Sequence, residues 1–425
     1  MTTPTDYHPM WDELGLDLPS HDALLAAVGS LYADAYLTQT NRPQAMSYLD
    51  FVLSEVHGLR IKELHDFRAA GGKVVGTFCL YVPEEIIRAA GGWSVGLCAG
   101  AEFGLEEAER IIPRNTCALI KSFVGFKLAR VCPYIAESDL VVGETTCDGK
   151  KKAYEALADL HNVHVLELPQ MKRPQDLAFF RRELDDLRAR LEELTGKQVT
   201  ADSLRAAIKE VNDKRRALQR IAAARAATPA PISGKDALLA TQVAFYDDVP
   251  RFTGAMNALA DELEARVAEG IGAMPADAPR VLITGTPMAL PNWKLHDVIE
   301  KAGGVVVGEE MCTGSRYYDK LVPETGETVE EMLDAIAAKY LDINCACFTP
   351  NRGRIDDIMR MARDLKADGI IDYALNFCAL YEAETFNVEK AAREAGFPVL
   401  SIQTDYSAED LGQLSTRVEA FLEML

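Results

Sequence analysis

Residues 73–98 read KVVGTFCLYVPEEIIRAAGGWSVGLC. An apolar, β-rich run, KVVGTFC, gives way at Pro83 to a helical stretch that Gly91 and Gly92 end, and a second apolar run, WSVGLC, follows. Proline suits the first turn of a helix, where its missing N–H costs nothing, and glycine accepts the left-handed turn that closes one. Strand, helix and strand in this order predict a parallel pair joined by a crossover. The texture continues through SDLVVGETTC and VHVLELP, short runs apolar enough to be buried on both faces.

From Arg280 the pattern returns: RVLITGTPM, a helix through HDVIEKAGG, VVVGEEMC, a helix from Val329 to Tyr340, DINCACF, a helix around Ile355 to Leu365, GIIDYALNFC and a last strand PVLSIQ. GTFCLYVPEEIIRAAGGWSVGLC can be laid on GTPMALPNWKLHDVIEKAGGVVVGEEMC, with GT, a proline, a helix and AGG in one order. This internal repeat predicts an α/β protein of two doubly wound parallel-sheet domains, flavodoxin- or Rossmann-like. A pseudo-twofold would relate them, and the facing strand ends would form a cleft. Helical segments are added to these domains. Leu24, Leu25, Val28, Leu31 and Tyr32 predict helix up to about Arg68. Leu177, Phe180, Leu184, Leu187, Leu191 and Leu194, then Leu204, Ile208, Val211, Leu218 and Ile221 after the break TGKQVTAD, predict two long amphipathic helices. These are expected to form a hairpin or arm with mixed charges on a solvated outer face. The expected division is a helical segment 1–70, a first α/β domain 71–174, a helical arm and connection 175–275, and a second α/β domain 276–425.

The 425 residues are 48% hydrophobic and 26% charged, the balance of a globular chain of two or three packed units. With 45 basic and 65 acidic residues, the net charge of −20 repels phosphate backbones and anionic lipids, so neither nucleic acid nor a membrane is expected as a partner. No run reaches the roughly 20 apolar residues of a membrane span, and the opening MTTPTDYHPMWDELGL lacks the pattern of a secretory leader. A cytoplasmic location is expected, where structural disulfides do not persist.

Nine cysteines in such a chain need another use. Cys79, Cys98, Cys147, Cys312 and Cys378 follow predicted strands, Cys345 and Cys347 close DINCAC, and Cys117 takes the corresponding place in the first repeat. Ligands of open parallel sheets lie beyond the carboxyl ends of strands, so these thiols are expected at one interdomain cleft holding a soft metal. No local CxxC pair suits zinc, and the seven histidines do not cluster. Thiolates from separate strands fit an iron–sulfur centre. Cys132, before Pro133 in a predicted helix, reads as core.

From about Gly72 to the C-terminus the chain resembles the 2-hydroxyacyl-CoA dehydratase superfamily, which includes benzoyl-CoA reductase subunits and double-cubane cluster proteins. The segments that carry the resemblance are GTFCLYVPEEIIRAAGG, RNTCALIKSFVGF, SDLVVGETTCDGKKKAYE, EEMCTGSRYY, NCACFTPNRGR, NFCALYEAE and SIQTDYSAEDLGQLSTRVEAFLE. The resemblance, closest to the double-cubane proteins, implies an iron–sulfur oxidoreductase that is a homodimer. It would carry an 8Fe-9S double cubane and reduce a small-molecule substrate. One cubane would sit on Cys79, Cys117 and Cys147, the other on Cys312, one of Cys345 or Cys347, and Cys378. Repeat symmetry points instead to Cys98, which lies opposite Cys312, whereas Cys79 lies opposite Met288.

The alternatives are a 2-hydroxyacyl-CoA dehydratase subunit with one 4Fe-4S cluster, and a non-catalytic cluster carrier or redox sensor. The resemblance also implies a separate ATP-dependent activator with its own 4Fe-4S cluster. GETTCDGKKK misses the phosphate-loop pattern, because five residues separate Gly143 from Gly149 and no Ser or Thr follows Lys150. ATP is therefore expected on the activator. Glu84, Glu144 and His296, with Glu309 and Glu310, are the candidate proton donors near strand ends. Lys150, Lys151 and Lys152 are candidate counter-charges for an anionic cluster.

Overall fold

A computed structural model describes residues 5–425. The first sheet contains β1 (Lys73–Thr77), β2 (Gly92–Gly96), β3 (Leu140–Glu144) and β4 (Val163–Leu166), in the order β2-β1-β3-β4. The second contains β5 (Arg280–Gly285), β6 (Val305–Glu310), β7 (Gly369–Leu375) and β8 (Val399–Thr404), in the order β6-β5-β7-β8. All neighbouring strands are parallel. The two halves thus repeat one topology, as the paired GT…AGG segments predict. Every residue of β3, β5, β6 and β7 is buried, the signature of strands covered on both faces. The strand ends of the two halves meet closely. Gly100 N–H donates to Leu290 O at 2.9 Å, and a Cβ at Gly100 would collide with Ala289 O, so only glycine fits there. Among the described residues no helix is long and apolar enough to cross a membrane.

Two expectations are corrected. DINCACF is not a strand: it lies in the loop between the helices Val329–Leu341 and Arg352–Asp364. Its polar groups go to neighbouring side chains instead of a ladder, since Ile343 O accepts from Tyr81 Oη at 3.0 Å and Lys172 Nζ at 2.8 Å, and Asn344 donates to Asp357 at 2.7 Å. The long helices Pro174–Thr195 and Ala201–Ala224 do not pack along each other as a hairpin. The first lies on Val329–Leu341; the second is wedged against Glu84–Ala89 of the first half and Val249–Glu269. Lys214 and Arg215 are therefore not on a solvated face but are fully buried. Acidic partners make this possible: Lys214 pairs with Glu84 at 2.6 Å and Arg215 with Glu85 at 2.6 Å.

The helix Gly234–Val243 is buried along its whole length. Glu300, on the helix Lys294–Lys301, accepts the Gly234 N–H at 2.5 Å, but its other oxygen has no partner among the described residues. Burial pushes this carboxyl up to about 8, against the pull of Lys235. An acid that holds its proton more tightly when folded contributes stability below its unfolded pKa and loses it as pH rises through the folded value. Wild type should therefore weaken between about pH 4.5 and 8 by on the order of a few kcal/mol. Glu300→Gln should flatten this dependence and melt higher than wild type at pH 9, which thermal unfolding across that range checks.

Candidate metal centre

Between the two sheets lies a cavity of about 380 Å³. Its wall includes Cys79, Cys98, Cys117 and Cys147 from the first half and Cys312, Cys345 and Cys378 from the second. Phe78, Leu119, Ile120, Phe245, Leu290 and Leu380 make most of the remaining wall apolar.

The strands place these thiols because Cys79 follows β1, Cys98 follows β2, Cys147 follows β3, Cys312 follows β6 and Cys378 follows β7. Three of them also occupy the cap position of a helix: Cys117 before Ala118–Leu128, Cys147 before Asp148–Ala158, and Cys378 before Ala379–Glu394. Lys150 N–H donates to Cys147 Sγ at 3.4 Å, so sulfur does what a serine or aspartate oxygen does elsewhere. Backbone N–H groups of Leu119 and Ile120 reach Cys117 and that of Tyr381 reaches Cys378 in the same way, so the positive helix ends meet the thiols at the cavity, which favours thiolates and any anion they hold.

Thiols of opposite halves touch, Cys79 with Cys312 and Cys117 with Cys378. Cys345 contacts Cys347, and that thiol, helped against burial by Arg316 and Tyr381, pulls Cys345 down to about 5. Cys98 differs: it donates to Phe78 O at 2.8 Å, and burial pushes it up to about 12. Among the described residues no three His, Cys, Asp or Glu side chains converge as one metal ion would require. All-sulfur donors spread around an apolar cavity suit a polynuclear iron–sulfur group, in which each iron needs only one protein thiolate.

Positive charge backs the wall on both sides. Lys150 lines the cavity and pairs with Glu144, which also accepts from Tyr154 at 3.2 Å. Burial opposes the Lys150 charge, yet Glu144 keeps the ammonium protonated. In the second half Arg316 donates to Glu310 at 2.7 Å and to the Tyr381 hydroxyl.

The expected proton donors stand elsewhere. Glu84 is held by Lys214 and by Tyr317 Oη at 2.6 Å, beside a small side pocket. His296 is fully buried with Nε2 at 3.1 Å from Glu309, and Arg225 holds Glu309 down to about 2 despite burial. Neither these residues nor Glu144 and Glu310 border the cavity. Cys347 and Cys132 are also off its wall. Cys132 precedes the helix Pro133–Glu137 instead of lying within one, because Pro133 starts that helix. Sequence reasoning missed Gln242 and Tyr381, which border the cavity. Tyr381 carried a usable signal, three residues after Cys378 at helical spacing; Gln242 carried none.

The sequence profile of the family "2-hydroxyglutaryl-CoA dehydratase, D-component" matches residues 79–425. The chain belongs to this dehydratase family. It is 40% identical to YjiM of Escherichia coli (strain K12), whose name marks it as an unproven dehydratase subunit, over 85% of this chain and 93% of that one. It is 26% identical to the (R)-phenyllactyl-CoA dehydratase beta subunit of Clostridium sporogenes, covering 84% and 92%. It is also 26% identical to a subunit of the benzoyl-CoA reductase of Thauera aromatica, covering 80% and 87%. The dehydratase-family match begins at Cys79, so all the cavity cysteines fall within it.

Proposed function

We propose that this member of the dehydratase family is an iron–sulfur reductase that holds an 8Fe-9S double cubane and acts on a small molecule. Its electrons would come from a separate ATP-dependent activator with its own 4Fe-4S cluster, and the chain would work as a homodimer. One observation carries the reading: seven thiols, at least three from each half, border a single cavity. A single cubane on three cysteines would leave the other thiols of the wall without a role. In this reading Cys79, Cys117 and Cys147 hold one cubane and Cys312, Cys345 and Cys378 the other. Cys98 is left out because its S–H is already engaged with Phe78 O.

When bound, such a cluster stores low-potential electrons and passes them to substrate. The chain supplies the rest. Phe78, Leu119, Phe245 and Leu290 exclude water, the helix ends at Cys117, Cys147 and Cys378 counter negative charge, and Lys150 holds a proton at Nζ on the wall. Glu144 keeps that ammonium charged and oriented.

The relatives' names favour a second reading, a 2-hydroxyacyl-CoA dehydratase subunit with a different partner subunit; in that reading the chain would hold one 4Fe-4S cluster. Iron and acid-labile sulfide content separates the two. Protein purified without oxygen should carry about eight irons per chain in the first reading and about four in the second.

A further inference from the structure

One polar contact at the cavity wall has a single direction once Cys345 is a thiolate ligand, which has no proton to give. Tyr381, 6% exposed, places its hydroxyl 3.4 Å from Cys345 Sγ, and Arg316 Nη1 donates to the same hydroxyl. A guanidinium has no acceptor, so the phenol oxygen must accept from Arg316 and its own proton is left to donate. Among the described residues its sole remaining partner is Cys345.

The ring cannot turn away. Arg316 and Arg354 lie over it at 5.3 and 5.0 Å from the centroid. Both guanidiniums are anchored in turn, Arg316 by Glu310, and Arg354 by Glu384 at 2.6 Å, Thr284 at 2.9 Å and Glu310 at 3.2 Å. Cys347, two residues on, turns its thiol to Cys345 and Tyr81 and does not reach the cavity.

We propose that Tyr381 is a positioning residue: its fixed O–H donates to the Cys345 sulfur, makes Cys345 and not Cys347 the ligand, and raises the reduction potential of the iron that Cys345 holds. The inference rests on the iron–sulfur reading above. A donor to a ligand sulfur draws off charge, and it stabilises the reduced, more negative centre more than the oxidised one.

The test compares Tyr381→Phe, Cys345→Ser and Cys347→Ser with wild type after anaerobic reconstitution with iron and sulfide. Iron content and an electrochemical titration followed by electron paramagnetic resonance are the readouts. Tyr381→Phe should keep wild-type iron and shift one reduction step to lower potential. Arg316→Lys, which keeps the charge and loses the fork that holds the phenol oxygen, should give the same downward shift and stands in if the phenylalanine variant does not fold. Cys345→Ser should lose iron and Cys347→Ser should retain it. Full iron with an unshifted potential in the Tyr381 and Arg316 variants overturns this inference alone, as does iron loss in Cys347→Ser with retention in Cys345→Ser. Wild type that binds no iron overturns the iron–sulfur reading and this inference with it.

Discussion

Arg215→Met is expected to destabilise the protein by about 3–5 kcal/mol, the cost of leaving one member of a buried ion pair unpaired. Arg215 and Glu85 are both fully buried, 2.6 Å apart, and Tyr340 Oη closes the triangle at 2.7 Å from Glu85 and 2.8 Å from Arg215. These residues come from three elements: the helices Glu84–Ala89 of the first half, Ala201–Ala224 between the halves, and Val329–Leu341 of the second half. Without the guanidinium, the Glu85 carboxylate keeps its desolvation cost and loses the charge that offset it. The neighbouring Glu84–Lys214 pair does not compensate, since each of its members is already matched. Urea unfolding of the metal-free protein measures the loss, taken at the first transition because a chain of two halves need not unfold in one step. The paired replacement Glu85→Leu with Arg215→Met should recover much of it, because it removes both charges together. A single variant that loses less than about 1 kcal/mol would show that the halves are held by other contacts.

Cys147→Ser and Cys378→Ser are each expected to abolish most iron binding without unfolding the chain. Both residues cap helices at the cavity, and serine is among the best residues at a cap, so the helices Asp148–Ala158 and Ala379–Glu394 should survive. What is lost is the soft thiolate, for which a hydroxyl is a poor substitute toward iron–sulfur groups. Iron per chain, beside a far-ultraviolet circular dichroism spectrum, separates ligand loss from misfolding. Cys132→Ser should keep its iron, because Cys132 lies off the cavity wall. Cys98→Ser decides between two arguments: the internal repeat aligns Cys98 with Cys312, whereas the geometry commits its S–H to Phe78 O. Iron loss as large as in Cys147→Ser would show that Cys98 replaces Cys79 as a ligand.

Much of this site is legible in the sequence. Short continuous apolar runs followed by helix-starting prolines and helix-ending glycine pairs are local signals, and they located both sheets and their repeat. Strand ends in a parallel sheet point one way, so the sequence order of the cysteines already implied one shared cleft. The carboxylates failed for the opposite reason. Glu84 does open a helix and Glu309 and Glu310 do end β6, but a carboxylate near a strand end can turn outward to a cavity or inward to a buried cation. Lys214, Arg225 and Arg316, each far from its partner in sequence or set by a turn, decided that they turn inward.

The amino-acid sequence alone determined the fold class, the repeat, the family and the collection of thiols at one cleft, because each follows from periodicity, turn chemistry or motif. Only the tertiary structure decided which thiols border the cavity, that Ala201–Ala224 is an internal wedge instead of an outer arm, and that Tyr381 meets Cys345. Those outcomes depend on which charged side chains meet across long sequence separations. Burial makes such meetings expensive unless they are matched, and local pattern carries no record of the match.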